Sequence, residues 1–253
     1  MISYDNNEMF RLNLDMEVHT TLIEGKYLVV IIDNVYENPD MVRDFVLQSP
    51  LPQFPTYKKY GYHRYQRSDL YNLEEKIKPL LGLFVSKFQL MHYPNFKDLK
   101  MKHKNQFLCN VFSNFNVESL ERYPHSDKSV LSSILYLNPP PDDHLGTAVC
   151  RHKLSDICVY PRHPLHVDWI TNIEGLESST YLDKVSKYEK YMEKAPPIKE
   201  VSTDIDNWEI IYQSQGKYNS MITYFGGLLH YPVLKNNKPI NITDRLTQAF
   251  FWE

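Results

Sequence analysis

From about Gln106 onward the chain is a succession of short runs of β-branched and aromatic residues separated by turn-type boundaries. These are Phe107 to Phe112, Val130 to Leu137, Thr147 to Lys153, Trp208 to Gln213, Ser220 to Phe225 and Leu246 to Trp252. Segments of this length and composition read as strands. The first hundred residues have a different texture. Lys26 to Asp33 (KYLVVIID) is one strand, expected to join the main sheet. Asn38-Pro39-Asp40 then offers an N-cap, a proline at the first helical position and an acid in the first turn, ahead of Val42, Phe45 and Val46. Leu73, Ile77, Leu80, Leu81, Phe84 and Phe88 recur at helical spacing, so Asn72 to Phe88 is a second helix. Helices first and strands after predict a mainly β fold with flanking helices, an antiparallel double-sheet barrel with the N-terminal helices packed on one sheet.

Two stretches break the pattern. Residues 154–207 contain prolines at 161, 164, 196 and 197 and one helix opened by Ser178 or Ser179, with Leu182, Val185 and Met192 on a face. This reads as an insertion between strands, a specificity element and partial lid separable from the barrel. Residues 50–67 carry proline, tyrosine and basic residues without a period, as a long loop would; Tyr57, Tyr60, Tyr62 and Tyr65 either pack it down or stack on a substrate. A length of 253 residues suits one domain, with a helical lead-in over 1–104 and the barrel over 105–253.

The net charge of −3 comes from interspersed signs, with no basic stripe to expect nucleic acid on. No apolar run approaches membrane length and the opening MISYDNNEMFRLNLD has no signal-peptide pattern, so a soluble, cytoplasmic protein is expected. Cys109, Cys150 and Cys158 form no C-x-x-C pair and read as small buried hydrophobes.

His125-Ser126-Asp127 stands directly before an apolar strand. In an extended segment residues two apart point to one side, so the imidazole and the carboxylate can reach one ion. About a hundred residues on, Tyr224 to Pro232 runs as strand, Gly226-Gly227, an apolar pair and then His230. With only 8 glycines in the chain, that pair is informative. Two imidazoles and one carboxylate leave metal positions open, as non-haem Fe(II) oxygenases require for a co-substrate and O2. Arg245-Leu246-Thr247 would put a guanidinium fork and a hydroxyl on one face of the last strand, suited to a carboxylate. His166-Val167-Asp168 is a competing H-x-D, set aside because polar, acidic sequence rather than a strand follows it.

These motifs together resemble the Fe(II)- and 2-oxoglutarate-dependent dioxygenases, especially the prolyl-hydroxylase-like branch. The matching text is Tyr123 to Asp127, Ile134 to Pro139, Gly146-Thr147, Tyr218-Asn219, Phe225 to Pro232 and Asp244 to Thr247 running into Phe250-Phe251-Trp252. The resemblance implies a double-stranded β-helix, the cupin-like jelly-roll, with His125, Asp127 and His230 as ligands of Fe(II). It further implies Arg245 on the distal carboxylate of 2-oxoglutarate, with Thr247 and Tyr136 assisting. The implied reaction is hydroxylation of an unactivated C–H bond in an amino-acid, peptidyl or related small substrate, using O2, releasing succinate and CO2, and aided by ascorbate. The chain departs from the family pattern in reading Gly146-Thr147-Ala148 where Gly-Gly is common, and in the long interval between His230 and Arg245. Two other classes stay open: a non-catalytic metal-binding or structural jelly-roll, and a cupin-like metal enzyme that does not use 2-oxoglutarate. Arg245 favours the first reading.

Overall fold

The structure, a computed structural model, describes residues 6–48, 62–67, 73–88, 107–113, 124–140, 146–194, 207–233 and 244–253; at 6–7, 62–67, 74, 107–113 and 244–245 it describes the backbone only. A short helix α1 (Asn6–Met9) precedes the hairpin β1 (Glu17–Ile23) and β2 (Tyr27–Asp33). The hairpin turns at Glu24 and Gly25, both at positive φ (52° and 71°), a turn whose twist matches that of paired strands. Helix α2 (Pro39–Gln48), strand β3 (Tyr62–Arg67), helix α3 (Leu73–Lys87) and strands β4 (Phe107–Ser113), β5 (Leu131–Tyr136) and β6 (Thr147–His152) follow. Helices α4 (Pro164–Glu174) and α5 (Ser178–Met192) precede β7 (Trp208–Gln213), β8 (Ser220–Phe225), β9 (His230–Pro232) and β10 (Asp244–Trp252).

The strands form two antiparallel sheets, a seven-stranded one in the order β1-β2-β8-β5-β10-β4-β3 and a three-stranded one in the order β7-β6-β9. Among the described residues these do not close on each other, so the expected barrel is instead two sheets, with β1 and β3 as free edges of the larger. Edge strand β1 is largely exposed and polar, which discourages pairing with another chain and also hides it from a search for apolar runs. The sheets are tied by side chains: Tyr136 Oη in β5 donates to Thr147 Oγ1 of β6 at 2.8 Å and lies 2.7 Å from Ser214 Oγ just after β7. Gly146 is required at this junction, because a Cβ there would stand 2.0 Å from the Ser214 carbonyl oxygen.

Phe84 of α3 packs edge-on against Trp252, with ring centroids 5.6 Å apart, and Arg43 of α2 donates to the Leu137 carbonyl at 2.7 Å. Cys150 and Cys158 are free and buried, as read from the sequence; the Cys109 side chain lies outside the described residues.

Three expectations need correction. The stretch 50–67 is not all loop: Tyr62–Arg67 pairs along its whole length with β4, while Tyr57 and Tyr60 lie outside the described residues. The insertion contains a second helix, α4, where its prolines suggest loop. Pro164 occupies its first turn, where a proline costs no hydrogen bond, and the His163 side chain caps it by accepting from the Leu165 N–H. Nor is the insertion a detachable lid. Trp169 of α4 stacks on Phe225 of β8 at 3.7 Å, and the buried face of α5 is Tyr181, Val185 and Tyr188, with Leu182 half exposed at 49 %. Tyr188 packs with Ala148, Cys150, Trp208 and Tyr231, so α5 covers one face of the small sheet. Among the described residues no helix is long and apolar enough to cross a membrane.

Candidate metal centre

Two backbone devices bring the H-x-D segment to His230. His125 and His230 exchange both main-chain hydrogen bonds, at 2.9 and 2.8 Å, a one-residue bridge that sets their side chains together with ring centroids 4.5 Å apart. The second device is the glycine turn after β8. The Asp127 N–H donates to the Gly226 carbonyl at 2.7 Å, and the Gly226 N–H donates to the Val130 carbonyl at 2.8 Å. The approach is so close that a Cβ on Gly226 would lie 2.0 Å from the Ser129 carbonyl oxygen. Only glycine fits.

The outcome is that one donor atom each from His125, Asp127 and His230 lies within 4.8 Å of the others. His230 is buried, Asp127 half-buried and His125 exposed, so the cluster opens toward solvent on the His125 side. His230 Nδ1 is 2.8 Å from the Leu228 carbonyl oxygen. A carbonyl can only accept, so Nδ1 bears a hydrogen, which leaves Nε2, 3.5 Å from the Asp127 carboxylate, as the ring atom that can face an ion. A cation between this nitrogen and the carboxylate would be held by both. Ligands at 2.0–2.2 Å from a common ion stand about 3 Å apart, close to this spacing. The other Asp127 constraint is Ser132, whose hydroxyl donates to Oδ2 at 2.6 Å and itself lies 2.9 Å from Ser129 Oγ.

His166 does not compete. It lies in α4, where residues two apart diverge, and both ring nitrogens are committed: Nε2–H donates to the Ser129 carbonyl at 3.0 Å while Nδ1 accepts from the Arg162 N–H at 3.1 Å. Burial pushes its pKa down to about 4, so it stays neutral and props the loop between Asp127 and β5. A second group, Glu17, His19 and Asp33, also brings donor atoms within 4.8 Å. It is more exposed, and Lys217 already pairs with Asp33 at 2.7 Å.

Of the remaining residues singled out in the sequence, Thr247 is buried in β10 directly opposite Tyr136 of β5. Arg245 is a β10 position opposite Phe112; its side chain lies outside the described residues. Sequence reasoning missed Ser132 and Tyr224, which sit opposite each other in β5 and β8. Both lie on the alternation that also carries Ile134 and Ile222. The Tyr224 phenol is held well above its usual pKa, by burial first, then by the Asp127 charge and Tyr136.

A family model described as "Family of unknown function (DUF6445)" matches residues 14–252. No curated protein matches the sequence. Among solved structures, HygX from Streptomyces hygroscopicus, crystallised with nickel and 2-oxoglutarate bound, aligns at 11% identity over 91% of this chain and 84% of its own, with a TM-score of 0.43. An oxidoreductase of the 2OG-Fe(II) oxygenase family from Burkholderia pseudomallei aligns at 11% identity over 88% of this chain and 83% of its own, with a TM-score of 0.38. Both correspondences are loose.

Proposed function

The chain belongs to the DUF6445 family, and we propose that it is an Fe(II)- and 2-oxoglutarate-dependent oxygenase built on a single jelly-roll domain of the prolyl-hydroxylase-like kind. The observation that carries this is the convergence of two imidazoles and one carboxylate, with His230 Nδ1 engaged by the Leu228 carbonyl so that Nε2 is the atom facing Asp127. Three protein ligands of this type suit Fe(II) and leave positions for other ligands.

In this reading His125, Asp127 and His230 hold the metal, and the Leu228 carbonyl and Ser132 hydroxyl orient two of them from behind. Arg245 would bind the distal carboxylate of 2-oxoglutarate, with Thr247 beside it. Tyr136 assists through its bonds to Thr147 and Ser214, which fix the inter-sheet wall. Bound Fe(II) with 2-oxoglutarate and O2 supplies the oxidising chemistry, giving succinate, CO2 and a hydroxylated amino-acid, peptidyl or small-molecule substrate. The chain itself contributes ligand geometry and orientation. Ascorbate is expected to sustain turnover.

The test is calorimetric titration of 2-oxoglutarate into the Mn(II)-loaded protein and into Arg245→Ala, followed by succinate measurement with Fe(II), O2 and ascorbate. Loss of a charge-assisted bidentate contact should weaken 2-oxoglutarate by about 2–5 kcal/mol while metal binding persists. Tight metal binding with no 2-oxoglutarate binding in the parent protein would leave a metal site of another function.

A further inference from the structure

The large sheet carries a cavity that the metal centre does not use. Ser132, Ile134 and Tyr136 share one face of β5; Ser132 holds Asp127, and Tyr136, about 13 Å further along the strand, lines a cavity of about 370 Å³. Ile31 of β2 and Ile222 of β8, direct partners in the sheet, give it an apolar surface, and Tyr212 of β7 adds an aromatic one. That volume and that mixture of apolar walls with few charged groups suit a small ligand. Its charged lining groups are Asp33 and Lys217, with Lys217 Nζ 2.7 Å from the Asp33 carboxylate. Glu17 stands directly opposite Asp33 in the β1–β2 ladder, so two carboxylates share one face, and an oxygen of each lies within 4.8 Å of the other and of a His19 ring nitrogen. Like charges directly opposite one another in a sheet are unfavourable, and Lys217 brings one positive charge to the two.

We infer that this cavity binds a small organic cation, a primary ammonium on an apolar body, with the ammonium on Asp33 and Glu17 and the body against Ile31, Ile222 and Tyr212. The carboxylate pair selects for positive charge, and a tyrosine face attracts an ammonium as well as apolar groups. Lys217 is a built-in competitor, whose tethered ammonium occupies Asp33 until the ligand displaces it. A metal ion would engage the carboxylates and the imidazole and leave the apolar cavity without a role, so the cavity favours the organic cation. The site stands apart from the His125, Asp127 and His230 cluster and does not depend on the reading of that cluster.

The experiment is calorimetry on the metal-free full chain, with 2-phenylethylamine as the probe and 3-phenylpropionate as its anionic counterpart. The amine should bind and the anion should not. Asp33→Asn should weaken the amine by about 10-fold or more, the loss of a hydrogen bond to a charged group, whereas Lys217→Met should tighten it by about 3- to 10-fold by removing the competing ammonium. Opposite signs from the two halves of one ion pair are the signature, because a pair that only braced the fold would weaken binding when either half was lost. Failure of the amine to bind either the parent or Lys217→Met would overturn the inference. So would equal binding of the anion, or weaker amine binding by a folded Lys217→Met. One equivalent of Zn(II) held by His125→Ala, and lost when His19→Ala is added, would make this a metal site instead and overturn it as well.

Discussion

Replacing Gly226 with alanine tests whether the glycine turn, rather than the ligands' own preferences, aims the H-x-D segment. The new methyl would start 2.0 Å from the Ser129 carbonyl oxygen, where ordinary contact is 3.4–4 Å, so one backbone must retreat by more than an ångström. Retreat breaks the 2.7 Å bond from the Asp127 N–H and the 2.8 Å bond to the Val130 carbonyl, both on the short link that carries Asp127. Each backbone group left unpaired in the interior costs about 1–3 kcal/mol, so Gly226→Ala should lose roughly 2–5 kcal/mol of stability. Displacing groups behind a ligand typically weakens metal by about 10- to 100-fold. Denaturant unfolding of the metal-free protein and Mn(II) calorimetry read the two effects separately. Gly146→Ala makes an equally close clash, 2.0 Å from the Ser214 carbonyl oxygen, but away from Asp127. It should destabilise to a similar degree while the folded protein keeps Mn(II) affinity within about threefold of the parent. Gly82→Ala, in α3 with nothing within 4 Å, should be neutral or stabilising by up to about 1 kcal/mol. If Gly226→Ala proves as stable as the parent and binds Mn(II) equally, the positioning argument is wrong.

His125→Ala should abolish stoichiometric metal in the purified protein. His166→Ala should keep metal and instead lower the melting temperature, because it removes the Nε2 bond to Ser129; metal loss on His166→Ala with retention on His125→Ala would reverse the assignment. Replacing residues 154–207 with a Gly/Ser linker should abolish cooperative unfolding, because it strips Trp169 from Phe225 and Tyr188 from Trp208; a cooperative melt would show that α4 and α5 are dispensable. Burial depresses His152 and His166 from 6.5 to about 4. Between those values the unfolded chain takes up protons that the folded chain refuses. Stability is therefore fully present above about pH 6.5 and falls toward pH 4, by up to about 3 kcal/mol per histidine. Metal-free unfolding measured from pH 7.5 to 4.5 checks this, and a flat profile would contradict it.

What the chain's own periodicity determined is local. β2, α2, α3 and the strands β4 to β8 and β10 follow from runs whose alternation or helical spacing is complete within about ten residues, and the pairing of His125 with Asp127 follows from strand alternation alone. Where local cues misled, a tertiary neighbour supplied the missing information. β3 carries polar and basic residues that read as loop, yet it finds β4 as a partner across about forty residues. Pro164 reads as a breaker until His163 is seen to cap α4. His166-Val167-Asp168 and His125-Ser126-Asp127 are the same motif in text; the fold puts the first in a helix, with both nitrogens of His166 spent, and joins the second to His230 through an isolated bridge. That Tyr224 stands opposite Ser132 likewise becomes visible only when β8 is set beside β5. A residue's spacing along the chain sets which side it can face; its partners, its burial and hence its protonation come from segments far away in sequence, and those are decided when the sheets assemble.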